Sequence, residues 1–439
     1  MKKENTLWLF FKFLIIGYVI AEFLRVFFDN SILSLLVTDF IIIAIFIRYL
    51  IATRFKLLHL NHLNFDIKIS LYLISIVVIL QLLNFYYTDI LTNIAGLRSY
   101  LLPILFLFIG LYFAKNSLLD YKKANFFLYV SLASIALSIL QIALDPSILG
   151  NITLNLLSAR DGGIHSYGDV NIDTVSSFFS SSKRYGRFLL FLYIFYSGIA
   201  LKFKNFNKYV VIVYFIGFAL SGSREALTLF IILNFIYLLK YTSFKTKVIT
   251  LSVSGLFLFT SFLTINLSED LSNRLGFLLP SYEEYAERIE GFFPIIHANL
   301  SNEHFFTGIG LGKFGQESQI NKYIYRESFK MKDKFFNISY EDDRLGATND
   351  YGLTKIFIEL GIFGLLFYLL YLFSILKLFF KKIFSKDALT VAFSFYLITW
   401  LIIFLKSHSL LSDIFFSSIL FFIIGFLCFS PYKKIQIEK

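Results

Sequence analysis

The sequence contains little charge, since Asp, Glu, Lys and Arg make up only 16% of its 439 residues and apolar residues make up 57%. This balance excludes the class of soluble globular proteins. Cysteine is almost absent as well. The one cysteine, Cys428, lies in an apolar run, so a disulfide framework and a cysteine metal site are both excluded. The composition therefore predicts an integral membrane protein.

The basic residues exceed the acidic ones and give a formal net charge of +11. Most of the lysines fall in short clusters between apolar runs, which is typical of a membrane topology signal rather than of a nucleic-acid surface. We therefore expect no nucleic-acid partner.

The apolar residues form about twelve runs of the length needed to cross the hydrocarbon layer. The runs are Leu7 to Phe28, Ile32 to Ile51, Ile67 to Tyr87, Leu97 to Ala114, Phe126 to Leu144, Phe188 to Leu201, Tyr209 to Leu220, Ala226 to Leu239, Val248 to Leu267, Leu353 to Phe380, Leu389 to Leu405 and Leu410 to Phe429. The first run lacks a small-residue cleavage site, so we expect it to be retained. The seventh run is short and ends at Ser221-Gly222-Ser223, where a turn is expected.

Every second loop between the runs is rich in Lys and Arg, which predicts that both termini are cytoplasmic. This orientation places two long polar loops outside, Asp145 to Arg187 and Ser268 to Tyr351. The second loop is too long for a bare connection, so we expect it to contain short helices. The prediction is one membrane domain, 1–439, with 268–351 as a large extracytoplasmic loop.

Arginines occur at several positions that this orientation places at or near the outer face. They are Arg98, Arg184, Arg187, Arg224 and Arg288. A guanidinium group is always charged, and its donors match two phosphate oxygens at once. Each arginine alone could instead extend to a lipid headgroup. Because the positive-inside rule disfavours all of these positions, the set together favours an anionic ligand.

Metal and dinucleotide sites are not expected. His297 and His304 are seven residues apart but lack a third ligand at a usual spacing. The formal GxGxxG from Gly310 to Gly315 follows a polar segment of the outer loop, whereas a dinucleotide site requires a preceding strand. A tight turn against the membrane surface is the better interpretation.

The segment Ala347 to Gly364 leads from the outer loop back into the membrane. Asn349 or Asp350 can cap the helix that follows. A carboxylate at this boundary could also accept a proton from a sugar hydroxyl as a general base. Glu359 lies more than two turns further on, within the membrane, and is either paired inside the bundle or functional.

Three segments, in their order and topology, resemble the O-antigen polymerase (Wzy-type) and O-antigen ligase superfamily. They are SGSREAL (Ser221 to Leu227), FFTGIGLGKFG (Phe305 to Gly315) and TNDYGLTKIFIELGIFG (Thr348 to Gly364). The resemblance is clearest from Ser176 to Gly364 and rests elsewhere on architecture alone.

The resemblance implies an all-α polytopic membrane glycosyltransferase of the GT-C type, acting on the outer face of the bacterial inner membrane. Its substrates would be oligosaccharides linked to undecaprenyl diphosphate, without a metal ion, a nucleotide donor or any other cofactor. Membrane lipids and a chain-length regulator would be further partners. Where ligases carry a histidine ahead of the Gly-x-x-Gly of the returning helix, this chain has Asp350, which favours the polymerase.

Arg224 matches the arginine of the family's serine-arginine motif, and Arg288 matches the arginine upstream of its glycine turn. The resemblance gives these two the task of stabilising the departing diphosphate, with Asp350 as the catalytic base. Further candidate contacts to the diphosphate or the sugars are Arg98, Arg184, Arg187, His304 and Asn349. Three alternatives remain open: an O-antigen ligase that transfers polysaccharide to lipid A core, a lipid-linked sugar flippase, and a structural assembly partner that would tolerate loss of each arginine.

Overall fold

The structure is a computed structural model, and the secondary structure of its described residues is helical apart from one short hairpin. It describes residues 2–28, 31–54, 63–82, 90–143, 165–167, 170–172, 177–179, 181–242, 305–308, 310–311, 352–406, 411 and 413–429. For Arg224 and for some residues at helix ends it describes the backbone alone.

The helices follow one another in chain order. They are α1 (Lys2–Phe28), α2 (Ser31–Ala52), α3 (Phe65–Leu82), α4 (Ile90–Leu101), α5 (Leu105–Lys115), α6 (Tyr121–Ala143), α7 (Ser182–Lys202), α8 (Tyr209–Ser221), α9 (Arg224–Tyr241), α10 (Gly352–Ile383), α11 (Ala388–Lys406) and α12 (Ile414–Cys428). A 3-10 turn, Leu102–Ile104, joins α4 to α5. Strands β1 (His165–Tyr167) and β2 (Val170–Ile172) pair antiparallel between α6 and α7. Each predicted apolar run overlaps a described helix except Val248 to Leu267, which lies outside the described residues. Parts of three other runs, Ile67 to Tyr87, Phe126 to Leu144 and Leu410 to Phe429, also lie outside them.

Five helical stretches in the described part of the chain are long and apolar enough to cross a membrane. They are Leu7–Leu24, Gly96–Lys115, Tyr121–Gln141, Lys355–Ile383 and Ala388–Leu405. Large apolar side chains such as Phe373 and Tyr129 are well exposed on these helices, as expected of surfaces that contact lipid rather than water. The prediction of a multi-spanning membrane protein is therefore confirmed.

The chain divides into two compact units. Unit 1 contains Met1–Ala21, Ser31–Asp120 and Glu287–Lys439, and unit 2 contains Glu22–Asn30 and Tyr121–Ala286. The first helix thus contributes residues to both units.

In unit 1, α5 and α12 pack with their backbones in close approach. A Cβ atom on Gly110 would lie 1.9 Å from the carbonyl oxygen of Phe422, and one on Gly425 would lie 2.1 Å from that of Leu107. Small residues let helices approach closely in a membrane, where packing rather than hydrophobic burial drives association. The two glycines therefore explain why α12 is buried along almost its whole length.

In unit 2, α7 lies at the centre of the described helices and is almost entirely buried. Aromatic rings fill the space around it, with Tyr193 of α7 in edge contact with Tyr214 of α8 and with Phe230 of α9. The buried phenol of Tyr214 shares a 2.6 Å hydrogen bond with the Ser131 hydroxyl of α6. Burying a phenol costs little when its hydroxyl has such a partner.

Two helix boundaries lie near the predicted arginines, and the sequence located only one of them correctly. The turn at Ser221-Gly222-Ser223 is confirmed, because Gly222 ends α8 in the left-handed conformation (φ 60°) that glycine adopts without strain. The predicted loop end at Arg187 is wrong. Helix α7 begins at Ser182, so Arg184 and Arg187 lie within its first turns.

Helix α10 is interrupted at Gly361, whose backbone (φ 67°, ψ −168°) is not helical. A break of this kind frees main-chain groups that water cannot reach inside a membrane. The segment Phe305 to Leu311 satisfies two of them. The Gly310 N–H donates to the Glu359 carbonyl (3.2 Å), and the Ile362 N–H donates to the Phe305 carbonyl (2.9 Å). We call this contact the turn–helix junction.

Glycine is required on both sides of the turn–helix junction. A Cβ atom on Gly308 (φ 73°) would lie 2.5 Å from the carbonyl group of Glu359, and one on Gly361 would lie 2.4 Å from the carbonyl oxygen of Phe306. The side-chain amide of Gln81 in α3 also donates to the Thr307 carbonyl. The described part of the glycine-rich segment is thus a turn, as predicted, but it packs against a broken helix of unit 1.

Candidate functional site

The site is formed where the first turn of α7 meets the start of α9 in unit 2. A Cβ atom on Gly186 would lie only 2.4 Å from the Cβ of Ser223 and 3.2 Å from the Ser221 hydroxyl. The two helix starts are therefore in direct contact, and larger residues could not replace this glycine without separating them.

Arg184 is held at the start of α7 by two interactions. Ser181 caps the helix, since its hydroxyl accepts a 3.3 Å hydrogen bond from the Arg184 N–H. The side chain forms an ion pair with Glu22 of α1, with 2.8 Å between Nη1 and Oε1. The Glu22 side chain is only 5% exposed and that of Arg184 12%, so the pair is shielded from solvent. Such shielding fixes the direction of the guanidinium.

Arg187 lies about one turn further along α7 and pairs with Glu225 of α9. Its Nη2 is 3.6 Å from Oε2 of Glu225, which is an ion pair without a close hydrogen bond. Arg224 is the first residue of α9, directly before this glutamate. The described ionic partner of Glu225 is therefore Arg187, which comes from another helix.

The start of α9 has main-chain donors available. Ser223 stands at the N-cap position, but its side chain makes no capping hydrogen bond. The first N–H groups of a helix have no partner within the helix and carry part of the positive end of its dipole. These N–H groups belong to the first turn of α9, which begins at Arg224. The contact between Gly186 and Ser223 brings the start of α7 against this turn.

We call this set the arginine cluster. It consists of Arg184, Arg187 and Arg224 with the carboxylates of Glu22 and Glu225. The two described guanidinium groups, of Arg184 and Arg187, are each paired with a carboxylate, and the backbone of Arg224 begins α9 beside them. Guanidinium forks together with uncapped N–H groups are the chemistry that binds phosphate oxygens.

Arg98, the fourth described arginine of the predicted set, is in unit 1. It belongs to α4 and forms an ion pair with Asp39 of α2, in which both side chains are largely buried. The other predicted site residues lie outside the described residues. These are Arg288, His304, Asn349 and Asp350.

Comparison with models of known protein families gives no match, and comparison with curated protein sequences gives none.

The acidic partners of the arginines were not among the predicted site residues. Glu22 lies in the first apolar run, and a carboxylate at such a position requires a partner or a function. That signal could have singled it out. Its pairing with Arg184 could not be read from the sequence, because 162 residues separate the two.

Glu359 is paired inside the helices of unit 1. Pairing inside the bundle was one of the two possibilities that the sequence left open for this residue. It forms an ion pair with Lys355, one turn earlier in α10, with 3.9 Å between Nζ and Oε1. The Tyr100 hydroxyl donates a 2.7 Å hydrogen bond to its other carboxylate oxygen. Both charged side chains are at most 1% exposed. We call these three residues the buried polar triad.

The described residues contain no group of three or more His, Cys, Asp or Glu side chains that could hold a metal ion.

The contact between Gly186 and Ser223 gives a first prediction. Gly186→Ala should destabilise the protein by about 1–3 kcal/mol, because the new methyl group overlaps the Ser223 side chain. Ser223→Gly alone should cost only a few tenths of a kcal/mol, since glycine is tolerated at an N-cap. The thermal unfolding midpoint of each purified variant, compared with that of the parent protein, measures the loss of stability. The double variant should recover most of the loss, and a double variant as unstable as Gly186→Ala would contradict the contact.

Proposed function

We propose that the chain is a membrane glycosyltransferase that polymerises oligosaccharide repeat units carried on undecaprenyl diphosphate. The product would be O-antigen or capsular polysaccharide. The observation that supports this proposal best is the arginine cluster, which places two described guanidinium groups and an uncapped helix start at one point of unit 2. A diphosphate leaving group is the ligand that fits these donors.

In the proposed reaction, a hydroxyl of the acceptor sugar attacks the anomeric carbon of the donor. The new glycosidic C–O bond forms as the bond between that carbon and the diphosphate oxygen breaks. Asp350 takes the hydroxyl proton, and Arg224 and Arg288 stabilise the departing diphosphate. Donors that are already in place before the reaction act best on charge that develops in the transition state.

The carboxylates of the cluster have a role in this scheme. Glu22 and Glu225 hold Arg184 and Arg187 in fixed positions before the lipid-linked donor arrives. An arginine that is already oriented loses less side-chain entropy when it binds an anion. Arg98, His304 and Asn349 complete the proposed set of contacts to the diphosphate and the sugars.

The proposal includes the finer architecture expected from the sequence. It comprises about twelve spans in a GT-C-like arrangement in the bacterial inner membrane, with both termini cytoplasmic. In that orientation the starts of α7 and α9 and the residues at 288 and 350 all lie towards the outer face. Lipid-linked units delivered to that face would reach the arginine cluster, and a chain-length regulator is an expected partner.

Alanine substitution in the arginine cluster tests the proposal. Arg187→Ala and Arg224→Ala should each lower the rate of polymerisation by on the order of 10²-fold or more. Each removes hydrogen-bond donors that would stabilise the charge developing on the departing diphosphate. Arg187→Lys should recover only part of the activity, since a lysine keeps the charge but loses the paired donors. The measurement is the ladder of polysaccharide chain lengths from cells that carry each variant, with the amount of protein in the membrane fraction determined in parallel.

Arg54 provides the matched control, because it is an exposed arginine at the end of α2 in unit 1. Arg54→Ala should leave the ladder unchanged. Unaltered chain lengths in both Arg187→Ala and Arg224→Ala would refute the proposal.

Deletion of the protein separates the polymerase from the ligase and from the flippase. Loss of a polymerase leaves single repeat units on the lipid A core, whereas loss of a ligase leaves a bare core. Loss of a flippase instead leaves lipid-linked units on the cytoplasmic face. Only the first result agrees with the proposal.

A further inference from the structure

The described helices of unit 2 differ in chemistry between their two ends. Helix α7 begins at the arginine cluster and ends at Lys202. Helix α9 runs beside it in the same direction. Gly186 contacts Ser223 near the two helix starts. Further along, the hydroxyls of Ser197 and Tyr237 share a 3.0 Å hydrogen bond. The last turns of α7 and α9 therefore lie together, at the end of unit 2 that is remote from the arginine cluster.

The start of α6 and the loop from α7 to α8 lie at this same end. The ring of Tyr121, the first residue of α6, contacts the ring of Phe203, which directly follows α7, with 6.5 Å between their centroids. Lysines are concentrated here, and we call them the lysine end of unit 2. They are Lys122, Lys123, Lys202, Lys204, Lys208 and Lys240. All of them are exposed except Lys123 and Lys240, which are half-buried.

The lysine end has a large excess of positive charge. Glu22 and Glu225 are the acidic residues that the structure describes in unit 2, and both are paired with arginines of the arginine cluster. Asp120 directly precedes Tyr121 in the chain and offsets one positive charge. The remaining lysine charges attract anions to this end.

Exposed aromatic side chains lie among these lysines. Tyr121 is 46% exposed, Phe203 42% and Tyr209 65%. The Nζ of Lys208 is 5.4 Å from the centroid of the Tyr209 ring. Aromatic and lysine side chains that occur together in this way are typical of the interface between hydrocarbon and water. Tyr121 also begins a helical stretch that is long and apolar enough to cross a membrane. The lysine end is thus suited to the level of the lipid headgroups.

The length of α7 separates this end from the arginine cluster. The helix has 21 residues, so it is about 30 Å long. The hydrocarbon layer of a bilayer is also about 30 Å thick. A diphosphate bound at the arginine cluster is therefore out of reach of the lysine end, which requires an anion of its own. The anions present at headgroup level are the phosphates of the bilayer lipids, and basic clusters bind membrane surfaces of net negative charge.

We propose that the lysine end of unit 2 binds the headgroups of anionic phospholipids. The ammonium groups contact the lipid phosphates, and the exposed rings of Phe203 and Tyr209 contact the adjoining part of the acyl chains. A free phosphate would leave these rings uncovered, so the ligand is a lipid. Such binding holds the ends of α6, α7 and α9 at one depth in the bilayer. It is independent of the proposed polymerisation, and its test requires no activity.

Lipid titration of the purified protein in detergent, followed by native mass spectrometry, tests the site. Phosphatidylglycerol has an anionic headgroup, and phosphatidylcholine with the same acyl chains is the neutral control. The complex with phosphatidylglycerol should form at a lipid concentration at least about fivefold lower. Equal binding of the two lipids would overturn the proposal and would show that these lysines act only as a topology signal.

Variants that each remove one charge locate the site. Lys204→Asn and Lys208→Gln should each weaken binding of phosphatidylglycerol about fivefold, which is the contribution of one basic residue at an anionic membrane surface. Asparagine is suited to position 204 because the backbone of Lys204 is left-handed (φ 57°), a conformation that asparagine tolerates. Lys377→Gln is the matched control, since it removes an exposed lysine of unit 1 that is already paired with Asp66.

The control should bind phosphatidylglycerol as the parent protein does. Unchanged binding in both Lys204→Asn and Lys208→Gln would refute the site, and so would an equal loss in Lys377→Gln. Glycerol phosphate distinguishes a lipid from a free phosphate, because it has the phosphate group without acyl chains. An excess of glycerol phosphate should leave the lipid bound, and displacement of the lipid would overturn its assignment as the ligand.

Discussion

Replacing Glu359 with alanine is expected to destabilise the protein by about 3–5 kcal/mol. The substitution leaves the ammonium group of Lys355 in an interior that is almost wholly shielded, with its paired carboxylate removed. It also removes the acceptor of the Tyr100 hydroxyl. The loss of a partner from a buried pair costs far more than the pair itself contributes, because the remaining buried charge loses the opposite charge paired with it.

Two further variants separate charge from packing. Glu359→Gln keeps an oxygen for the Tyr100 hydroxyl but removes the negative charge, so it should be less harmful than alanine yet still clearly destabilising. Adding Lys355→Met removes the remaining charge and should restore most of the stability, because a well-packed apolar pair often replaces a buried ion pair without loss. The three variants are compared by their thermal unfolding midpoints in detergent. Each midpoint is obtained from the amount of monodisperse protein that remains after heating.

The same helix provides a matched control in the ion pair of Lys377 with Asp66. Here the side chains are 64% and 42% exposed, so Lys377→Ala should change stability by less than about 1 kcal/mol. If Glu359→Ala were as mild as Lys377→Ala, the buried polar triad could not be a closely paired interior site.

Substituting alanine at Gly361 should cost about 3 kcal/mol or more. The backbone angles at this residue lie in a region that is essentially open to glycine alone, and strain there costs roughly 1–3 kcal/mol. The added methyl group would also lie 2.4 Å from the carbonyl oxygen of Phe306, and main-chain atoms cannot turn away as a side chain can. The junction must therefore open, which leaves main-chain groups of α10 without partners.

Gly217 of α8 is the control for this prediction. A Cβ atom there would meet side chains alone, at 2.8 Å from Cγ1 of Ile135 and 3.1 Å from Cδ1 of Leu189, and its φ is helical, where alanine is favoured over glycine. Gly217→Ala should therefore cost clearly less than Gly361→Ala, because side chains can shift where a main-chain carbonyl cannot. Equal unfolding midpoints for Gly361→Ala and Gly217→Ala would show that the turn does not hold the break closed.

The sequence predicted the positions of most described helices, because the length of an apolar run is imposed by the membrane and is visible locally. It could not predict the break in α10. The run Leu353 to Phe380 is uniformly apolar, and the groups that stabilise the break come from residues 305 to 311. Such partners are distant along the chain, so hydropathy does not register them. The start of α7 was placed too late for a similar reason, since Ser181 and the paired arginines extend the helix beyond its apolar part.

The candidate site was predicted in part. The sequence selected Arg184, Arg187 and Arg224 because basic residues were out of place for the expected topology, and the structure brings the start of α7 against the start of α9. Which carboxylate each arginine would meet depends on how the helices pack. Glu225 pairs with Arg187 of another helix, although Arg224 is its neighbour in the sequence. The roles of Arg288 and Asp350 stay predictions.

The turn–helix junction has a consequence for how unit 1 tolerates mutation. Among the described residues, the hydrogen bonds from α3 and α10 to the turn reach its main chain rather than its side chains. Thr307 is exposed and its hydroxyl donates only a long hydrogen bond of 3.4 Å to the Gly308 carbonyl, so this position is open to many substitutions. The number of residues in the turn is more strongly constrained. One residue inserted between Gly308 and Gly310 would shift the register of the turn against Glu359 and Gly361, so spacing is the property of this segment that the fold constrains most.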